Sequence, residues 1–151
     1  MNLRRVLYCA VLLGFTLCAR QMAASVTITV FKDPTCMCCN GWIEHLRANG
    51  FQVDVKEVQG SELRETKTKY GIPPNLQSCH TALIDGYVIE GHVPAAEILR
   101  LLKERPNAKG IVVPGMPVGS PGMEGSPRQS FTVLLLDSSD RTTIYREYPA
   151  K

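Results

Sequence analysis

The sequence has 151 residues, of which 44% are hydrophobic and 21% are charged. This length suits one domain with a substantial core and is too short to predict two domains. The composition is ordinary for a globular protein and excludes a chain that is disordered over most of its length. The formal net charge is only +3 at pH 7.

Residues 1–24 have the pattern of a secretory signal peptide. Arg4-Arg5 precedes an apolar run over 6–18, and small residues follow at 23–25. The run is too short to span a bilayer comfortably, so we predict cleavage after residue 24 and export to the periplasm. The alternative is an uncleaved N-terminal anchor, because Met22 occupies a position where a smaller residue is preferred.

Cleavage would change both the charge and the cysteine count. The basic count falls from 17 to 14, which equals the acidic count of 14. A nearly neutral mature protein has no electrostatic footprint for nucleic acid, and we expect no membrane binding after cleavage. Four cysteines remain, and three of them lie within four residues, unlike the spacing of a disulfide framework. They are Cys36, Cys38, Cys39 and Cys79.

The predicted elements follow the order βαβαββα, which indicates an α/β fold with helices on the faces of a small mixed sheet. In chain order these are a strand over 26–31, a helix from the cysteines to about Asn49, a strand over 51–58, a polar helix over 61–70, a hairpin of 81–84 and 87–90, and a helix from Pro94 that stops before Pro106. The segments 131–136 and 142–148 predict a second hairpin.

The cysteines lie where the first strand leads into the first helix. Exposed backbone N–H groups and the helix dipole at such a position favour the thiolate over the thiol. The thiolate is both the nucleophile of disulfide exchange and the ligand of soft metals. A dithiol oxidoreductase needs only the pair Cys36 and Cys39, so the additional Cys38 indicates sulfur-rich metal binding.

Several motifs in order resemble the CopG-type copper-resistance family of Gram-negative bacteria. They are Cys36-Met37-Cys38-Cys39, Ser78-Cys79-His80-Thr81, Gly91-His92-Val93-Pro94, Pro114-Gly115-Met116-Pro117 and Gly122-Met123-Glu124. The resemblance implies a periplasmic thioredoxin-like domain that binds copper at its CxCC cysteines, with a possible oxidoreductase activity on copper itself. It implies a thioredoxin-like domain over 25–105 and, packed on it, an extension over 106–151 that contains a Met/Gly/Pro loop and a hairpin.

One departure from ordinary thioredoxins concerns the segment before the third strand. Thioredoxins have a cis-proline there, and the alignment with the strand over 81–84 puts His80 at that position. Cys79 would then face the CxCC group across the site. The absence of the proline argues against generic disulfide exchange on protein substrates.

We therefore expect copper to be bound by sulfur, with help from one imidazole, because thiolates and thioethers prefer Cu(I). The predicted metal ligands are Cys36, Cys38, Cys39, Cys79, Met116, Met123 and His80. Simple packing is an alternative for both methionines, and a structural buried thiol is one for Cys39. We expect His45 to be solvated, His92 to make local hydrogen bonds, and Met37 to be exposed.

The sequence is compatible with three functions. The first is a copper-resistance protein that holds Cu(I) in a cysteine-rich site, which could be multinuclear, or that interconverts Cu(I) and Cu(II). The second is a thiol–disulfide oxidoreductase whose catalytic pair is Cys36 and Cys39. The third is a structural zinc module, which is disfavoured because vicinal cysteines rarely bind one ion together. The expected partners are copper ions and periplasmic copper-export or copper-chaperone proteins, and the expected state is a monomer. We find no signature of an organic cofactor.

Overall fold

The computed structural model describes residues 26–150, so the predicted signal peptide lies outside the described residues. Within them, three α-helices and one seven-stranded sheet form a mixed α/β fold, as predicted. The strands are β1 (Thr27–Lys32), β2 (Gln52–Glu57), β3 (His80–Ile84), β4 (Tyr87–Glu90), β5 (Gly110–Val112), β6 (Phe131–Leu136) and β7 (Thr142–Tyr148). The helices are α1 (Met37–Ala48), α2 (Gly60–Lys69) and α3 (Ala95–Glu104). No helix in the described range is long and apolar enough to cross a membrane.

The first half of the sheet brings two distant segments to one end. Strand β1 pairs in parallel with β2 and antiparallel with β3. Strands β3 and β4 form an antiparallel hairpin. The register places His80 opposite Lys32. The end of β1 and the beginning of β3 therefore lie at the same end of the sheet, where α1 also begins.

The second half of the sheet extends this frame. Strand β5 pairs in parallel with β4, and β6 and β7 follow as an antiparallel hairpin at the predicted residues. The sequence pattern does not predict β5, because it has only three residues and begins with a glycine. That glycine is required, since a Cβ on Gly110 would lie 1.7 Å from the carbonyl oxygen of Val88.

Helix α1 covers the sheet with one apolar stripe. Its buried residues recur at helical spacing and are Cys39, Trp42, Ile43 and Leu46. Trp42, Ile43 and Leu46 belong to the same core cluster as Ile28 and Val30 of β1. The Trp42 indole N–H donates to the carbonyl of Val93 at 2.8 Å, which ties α1 to the segment that precedes α3.

The segment 113–130 runs from β5 to β6 and passes directly over the first turn of α1. A Cβ built on Gly41 would lie 2.9 Å from the Cα of Gly122. A Cβ on Gly122 would lie 2.5 Å from the backbone nitrogen of Trp42 and 2.6 Å from the backbone oxygen of Cys38. Gly122 also has a φ of +81°, so both its backbone conformation and its close contact require glycine.

We predict that Gly122→Ala lifts this segment from α1, whereas Gly115→Ala does not. Both glycines have positive φ, so both variants incur the left-handed backbone strain, about 1–2 kcal/mol. Only Gly122 also has neighbours that its Cβ would strike, whereas a Cβ on Gly115 meets nothing within 4 Å. Gly122→Ala should therefore lower the free energy of unfolding by about 1–3 kcal/mol more than Gly115→Ala. Urea denaturation measures the difference, and equal losses would show that the contact is not tight.

Candidate metal centre

A tight turn delivers the cysteines to the first turn of α1. The Asp33 carboxylate accepts hydrogen bonds from the backbone N–H and the hydroxyl of Thr35 at 2.9 and 2.6 Å. The Cys36 N–H donates to the Asp33 carbonyl at 3.0 Å. Cys36 then occupies the N-cap position of α1 in an extended conformation, and Cys38 and Cys39 follow in the first turn.

Three cysteine sulfurs lie together at this helix start. Cys36 and Cys39 form a disulfide, while Cys38 is a free thiol. The Cys38 sulfur lies 3.6 Å from the Cys36 sulfur. Cys39 is fully buried, whereas Cys36 and Cys38 are half-buried. The pair expected to be redox-active is thus close enough to bond, with a third sulfur in contact with it.

Cys79 joins this group from the segment before β3. Its sulfur lies 3.8 Å from that of Cys38, and its carbonyl oxygen lies 3.9 Å from the Cys39 sulfur. The four cysteine sulfurs all lie within 4.8 Å of one another. Burial, with a smaller contribution from the charge of Cys38, raises the pKa of the Cys79 thiol to about 12. Without a metal, Cys79 is therefore a protonated thiol at neutral pH.

Two histidines complete the surroundings of Cys79. His92 Nδ1–H donates to the Pro121 carbonyl at 2.7 Å, which leaves Nε2 of the neutral ring as an acceptor 3.0 Å from the Cys79 sulfur. His80 Nδ1 lies 3.4 Å from the same sulfur. His92 therefore does more than make the local hydrogen bonds predicted for it, because its partner Pro121 is 29 residues away and its other nitrogen faces the Cys79 sulfur.

The His80 ring is packed between two other rings. It lies 4.2 Å from the Trp42 ring and 5.1 Å from the His92 ring, measured between centroids. It is fully buried, and its Nε2 has no hydrogen-bond partner among the described residues. Burial, with the charges of His92 and Lys67, holds the pKa of His80 well below its usual range. His80 is therefore a neutral imidazole with one nitrogen directed at Cys79.

The three methionines near the cysteines differ in position. The Met116 sulfur lies 3.9 Å from the Cys38 sulfur, and Met116 as a residue is 51% exposed. Met123 is half-buried and makes backbone hydrogen bonds with Gly119 and Ser120. Met37 is 79% exposed, as expected. The structure thus brings Met116 to the cysteines, while these hydrogen bonds of Met123 lie within its own loop.

His45 is not solvated, in contrast to the prediction from sequence. It is half-buried, and its Nε2 accepts the Ala95 N–H at 3.0 Å. It therefore satisfies one of the free N–H groups at the beginning of α3. The prediction was wrong because the partner belongs to a helix 50 residues further along the chain.

The donor set is suited to a soft metal. One group consists of four cysteine sulfurs, and a second, which shares Cys79, adds the two histidines. Sulfur and imidazole are the ligands that Cu(I) and zinc prefer, whereas Mg²⁺ and Ca²⁺ require oxygen ligands. The Nε2 of His80, which has no hydrogen-bond partner within residues 26–150, and the exposed Met116 lie beside these groups.

Comparison with solved structures identifies the family. A structure of copper resistance protein CopG, form 2, is 46% identical, with a TM-score of 0.77, and the alignment covers 83% of this chain and 99% of that chain. The chain belongs to the CopG copper-resistance family. Form 1 of the same protein is 45% identical, with a TM-score of 0.78, and the alignment covers 83% of this chain and 98% of that chain.

The remaining comparisons are consistent with this assignment. Residues 76–123 match a family model described as protein of unknown function DUF411. This range includes Cys79 and both histidines around it, as well as the loop that carries Met116 and Met123. No curated protein matches the chain. The CopG assignment therefore rests on the two solved structures.

We predict that Cys79 reacts very slowly with iodoacetamide in the metal-free protein with its disulfide intact. A pKa near 12, compared with an ordinary value of 9.0, leaves roughly a thousandfold less thiolate at about pH 8, and the thiolate is the reactive form. Peptide mass spectrometry after timed alkylation measures the rate at each cysteine. Alkylation of Cys79 as fast as that of a cysteine in a short peptide would contradict the burial described here.

The pH dependence of stability provides a test of His45. Burial lowers the pKa of His45 from its ordinary value of 6.5, against a smaller opposing effect of Glu124. The unfolded chain therefore binds a proton more readily, so this contribution to stability is complete above about pH 6.5 and is lost as the pH falls towards the folded pKa.

We expect Tm to fall less between about pH 7.5 and about pH 5.5 in a His45→Gln variant than in the wild type, because glutamine does not titrate. The comparison uses copper-free protein with the disulfide intact. His80 and His92 also have lowered pKa values, but they titrate in both proteins and cancel in the difference. Parallel pH profiles would show that His45 has the same pKa in the folded and unfolded states.

Proposed function

We propose that this protein is a periplasmic copper-binding protein of copper resistance that holds Cu(I) in the sulfur cluster at the start of α1. The single observation that carries the proposal is that Cys79 and the three α1 cysteines have their sulfurs within 4.8 Å of one another. The two CopG structures support the choice of copper, as does the preference of Cu(I) for thiolates and thioethers.

We propose further that the site holds more than one copper ion. Four cysteines and Met116 supply more sulfur than one Cu(I) needs, and the vicinal pair Cys38 and Cys39 suits bridging better than joint binding of a single ion. Thiolates bridge metal ions readily, so four mutually close sulfurs favour a cluster. His80 and Met123 complete the proposed ligand set, with His80 supported by its position beside Cys79.

The disulfide supports a redox role as a second part of the same function. In the reduced protein Cys36 and Cys39 are two thiols. Their conversion to the disulfide releases two electrons and two protons, which is the balance needed to reduce two Cu(II) ions to two Cu(I) ions. The reverse reaction would oxidise Cu(I). Because the disulfide removes two of the four cysteine ligands, the reduced protein should hold more copper than the oxidised protein.

The domain organisation and the partners form part of the same proposal. We propose a signal peptide over 1–24, a thioredoxin-like domain over 25–105 and an extension over 106–151. The strand order β2-β1-β3-β4, with helices in the connections along the chain, supports the proposed thioredoxin-like domain. The close contact of Gly122 with α1 supports packing of the extension on the same domain. Copper-export or copper-chaperone proteins of the periplasm are the proposed partners of a monomer.

The second candidate is a thiol–disulfide oxidoreductase that acts on proteins. The observation in its favour is the disulfide itself, at a helix start where a thiolate is stabilised. Disulfide exchange needs Cys36 and Cys39 but not Cys79 or Met116. The two functions are therefore separated by variants that leave the disulfide pair intact.

We expect reduced mature protein loaded anaerobically to retain more than one Cu(I) per chain. Cys79→Ser should lower this number sharply, because it removes one of the four cysteine sulfurs that form the proposed site. Met37→Leu is the matched control, since Met37 is adjacent to the same cysteines but 79% exposed, and it should retain the wild-type amount. Elemental analysis after desalting against a Cu(I) chelator gives the number of ions per chain.

Full copper retention by Cys79→Ser would overturn the four-sulfur site. Absence of tightly held copper in the wild type would overturn the proposed function altogether. Reduction of protein disulfides by both Cys79→Ser and Met116→Leu at the wild-type rate, with no copper held, would favour the oxidoreductase instead.

A further inference from the structure

A buried ion pair lies beneath the segment that carries Cys79. Glu90 at the end of β4 is fully buried, and Lys67 of α2 is only 4% exposed. The Lys67 ammonium donates to Glu90 Oε1 at 2.6 Å. It also donates to the Thr81 hydroxyl at 3.0 Å. Both charges are thus removed from water and depend on their protein partners.

The Glu90 carboxylate binds both sides of the Cys79–His80 dipeptide. Its Oε1 accepts the backbone N–H of Ser78 at 2.6 Å, and its Oε2 accepts the Thr81 hydroxyl at 2.6 Å. Ser78 precedes Cys79, and Thr81 follows His80. Both oxygens of one carboxylate therefore fix the two ends of a four-residue segment with short, charge-assisted hydrogen bonds.

The same connection reaches the methionine loop. The Ser78 hydroxyl donates to the carbonyl of Gly115 at 2.5 Å, and the next residue, Met116, has its sulfur 3.9 Å from that of Cys38. Gly91, next to Glu90, also allows the close approach, since a Cβ there would lie 2.8 Å from that of Ser78. Contacts thus run from Glu90 through Ser78 to both Cys79 and the Met116 loop.

Stability alone does not account for this arrangement. A buried ion pair is often replaced by apolar residues of similar size with no loss of stability, so its presence is weak evidence for a stabilising role. The carboxylate accepts hydrogen bonds from the two residues that flank Cys79 and His80. Its hydrogen bonds have fixed directions, whereas apolar packing would leave the segment free to shift.

We propose that Glu90, held by Lys67, is a positioning residue that fixes Cys79 and the Met116 loop against the cysteines of α1. This inference rests on the proposed function for its biological meaning, because the position that it fixes is the one where the sulfurs meet. Its structural content, the position of Cys79, is independent of copper and can be tested without it.

The test compares Glu90→Gln with Glu97→Gln. The control residue is also a buried carboxylate, 7% exposed, but its partners are the Tyr148 hydroxyl and Arg100. The first readout is the ratio of Cys79 to Cys38 alkylation by iodoacetamide in copper-free, disulfide-intact protein. A ratio separates a local shift of Cys79 from general loosening, which would expose both thiols.

We expect the ratio to rise about tenfold in Glu90→Gln, a factor typical of losing one charge-assisted hydrogen bond, and to stay at the wild-type value in Glu97→Gln. The second readout is Cu(I) retention against a chelator, which should fall in Glu90→Gln only. An unchanged alkylation ratio in folded Glu90→Gln would overturn the inference. Absence of copper in the wild type would instead overturn the proposed function and leave the alkylation result to decide this inference.

Glu90→Gln leaves Lys67 buried without its counter-charge, and this variant can fail to fold. The double variant Lys67→Met with Glu90→Leu then takes its place, because it removes both charges together. It leaves the Ser78 N–H and the Thr81 hydroxyl without their acceptor. A raised alkylation ratio in this double variant supports the positioning role, and a wild-type ratio overturns it.

Discussion

The antiparallel pairing of β1 with β3 is the constraint on which the site depends. It places His80 opposite Lys32, so the chain that leaves β1 towards the α1 cysteines and the chain that enters β3 meet at one end of the sheet. Cys79 and Cys38 are 41 residues apart in sequence, yet their sulfurs lie 3.8 Å apart. A parallel arrangement of the same two strands would have put Cys79 at the opposite end.

Local sequence signals account for much of the fold. The turn Asp85-Gly86 has positive φ at both residues, which is why it predicts a tight hairpin, and the stripe of α1 has the helical period. Strand β5 escapes prediction, because a three-residue strand in the middle of a sheet is specified by its neighbours rather than by its own pattern.

The surroundings of the cysteines were less accessible to prediction. The sequence marks the α1 cysteines by their spacing, but the position of Cys79 followed only from the resemblance to thioredoxins. The roles of His92 and Lys67 depend on partners in other elements, the Pro121 carbonyl and Glu90. A lysine on a polar helix is normally predicted to be exposed to solvent. Nothing within the sequence of α2 indicates that Lys67 is buried against a carboxylate.

The disulfide and the proposed copper site use the same atoms. Cys36 and Cys39 cannot be bonded to each other and bind a metal as thiolates at the same time, so in the proposed site the oxidation state of the pair and the copper content would be linked. The oxidised site described here keeps Cys38, Cys79 and Met116 as free sulfurs in contact. Under the proposed function, this arrangement would couple release or uptake of copper to electron transfer.

The most direct test of the account is X-ray absorption at the copper edge of the reduced, Cu(I)-loaded protein. We predict an absorption edge typical of Cu(I), a first coordination shell dominated by sulfur, and scattering from a neighbouring copper ion. Such a spectrum would place several ions among the four cysteines. A first shell of nitrogen and oxygen, without sulfur, would contradict the account, because copper would then be bound away from the cluster that the fold assembles.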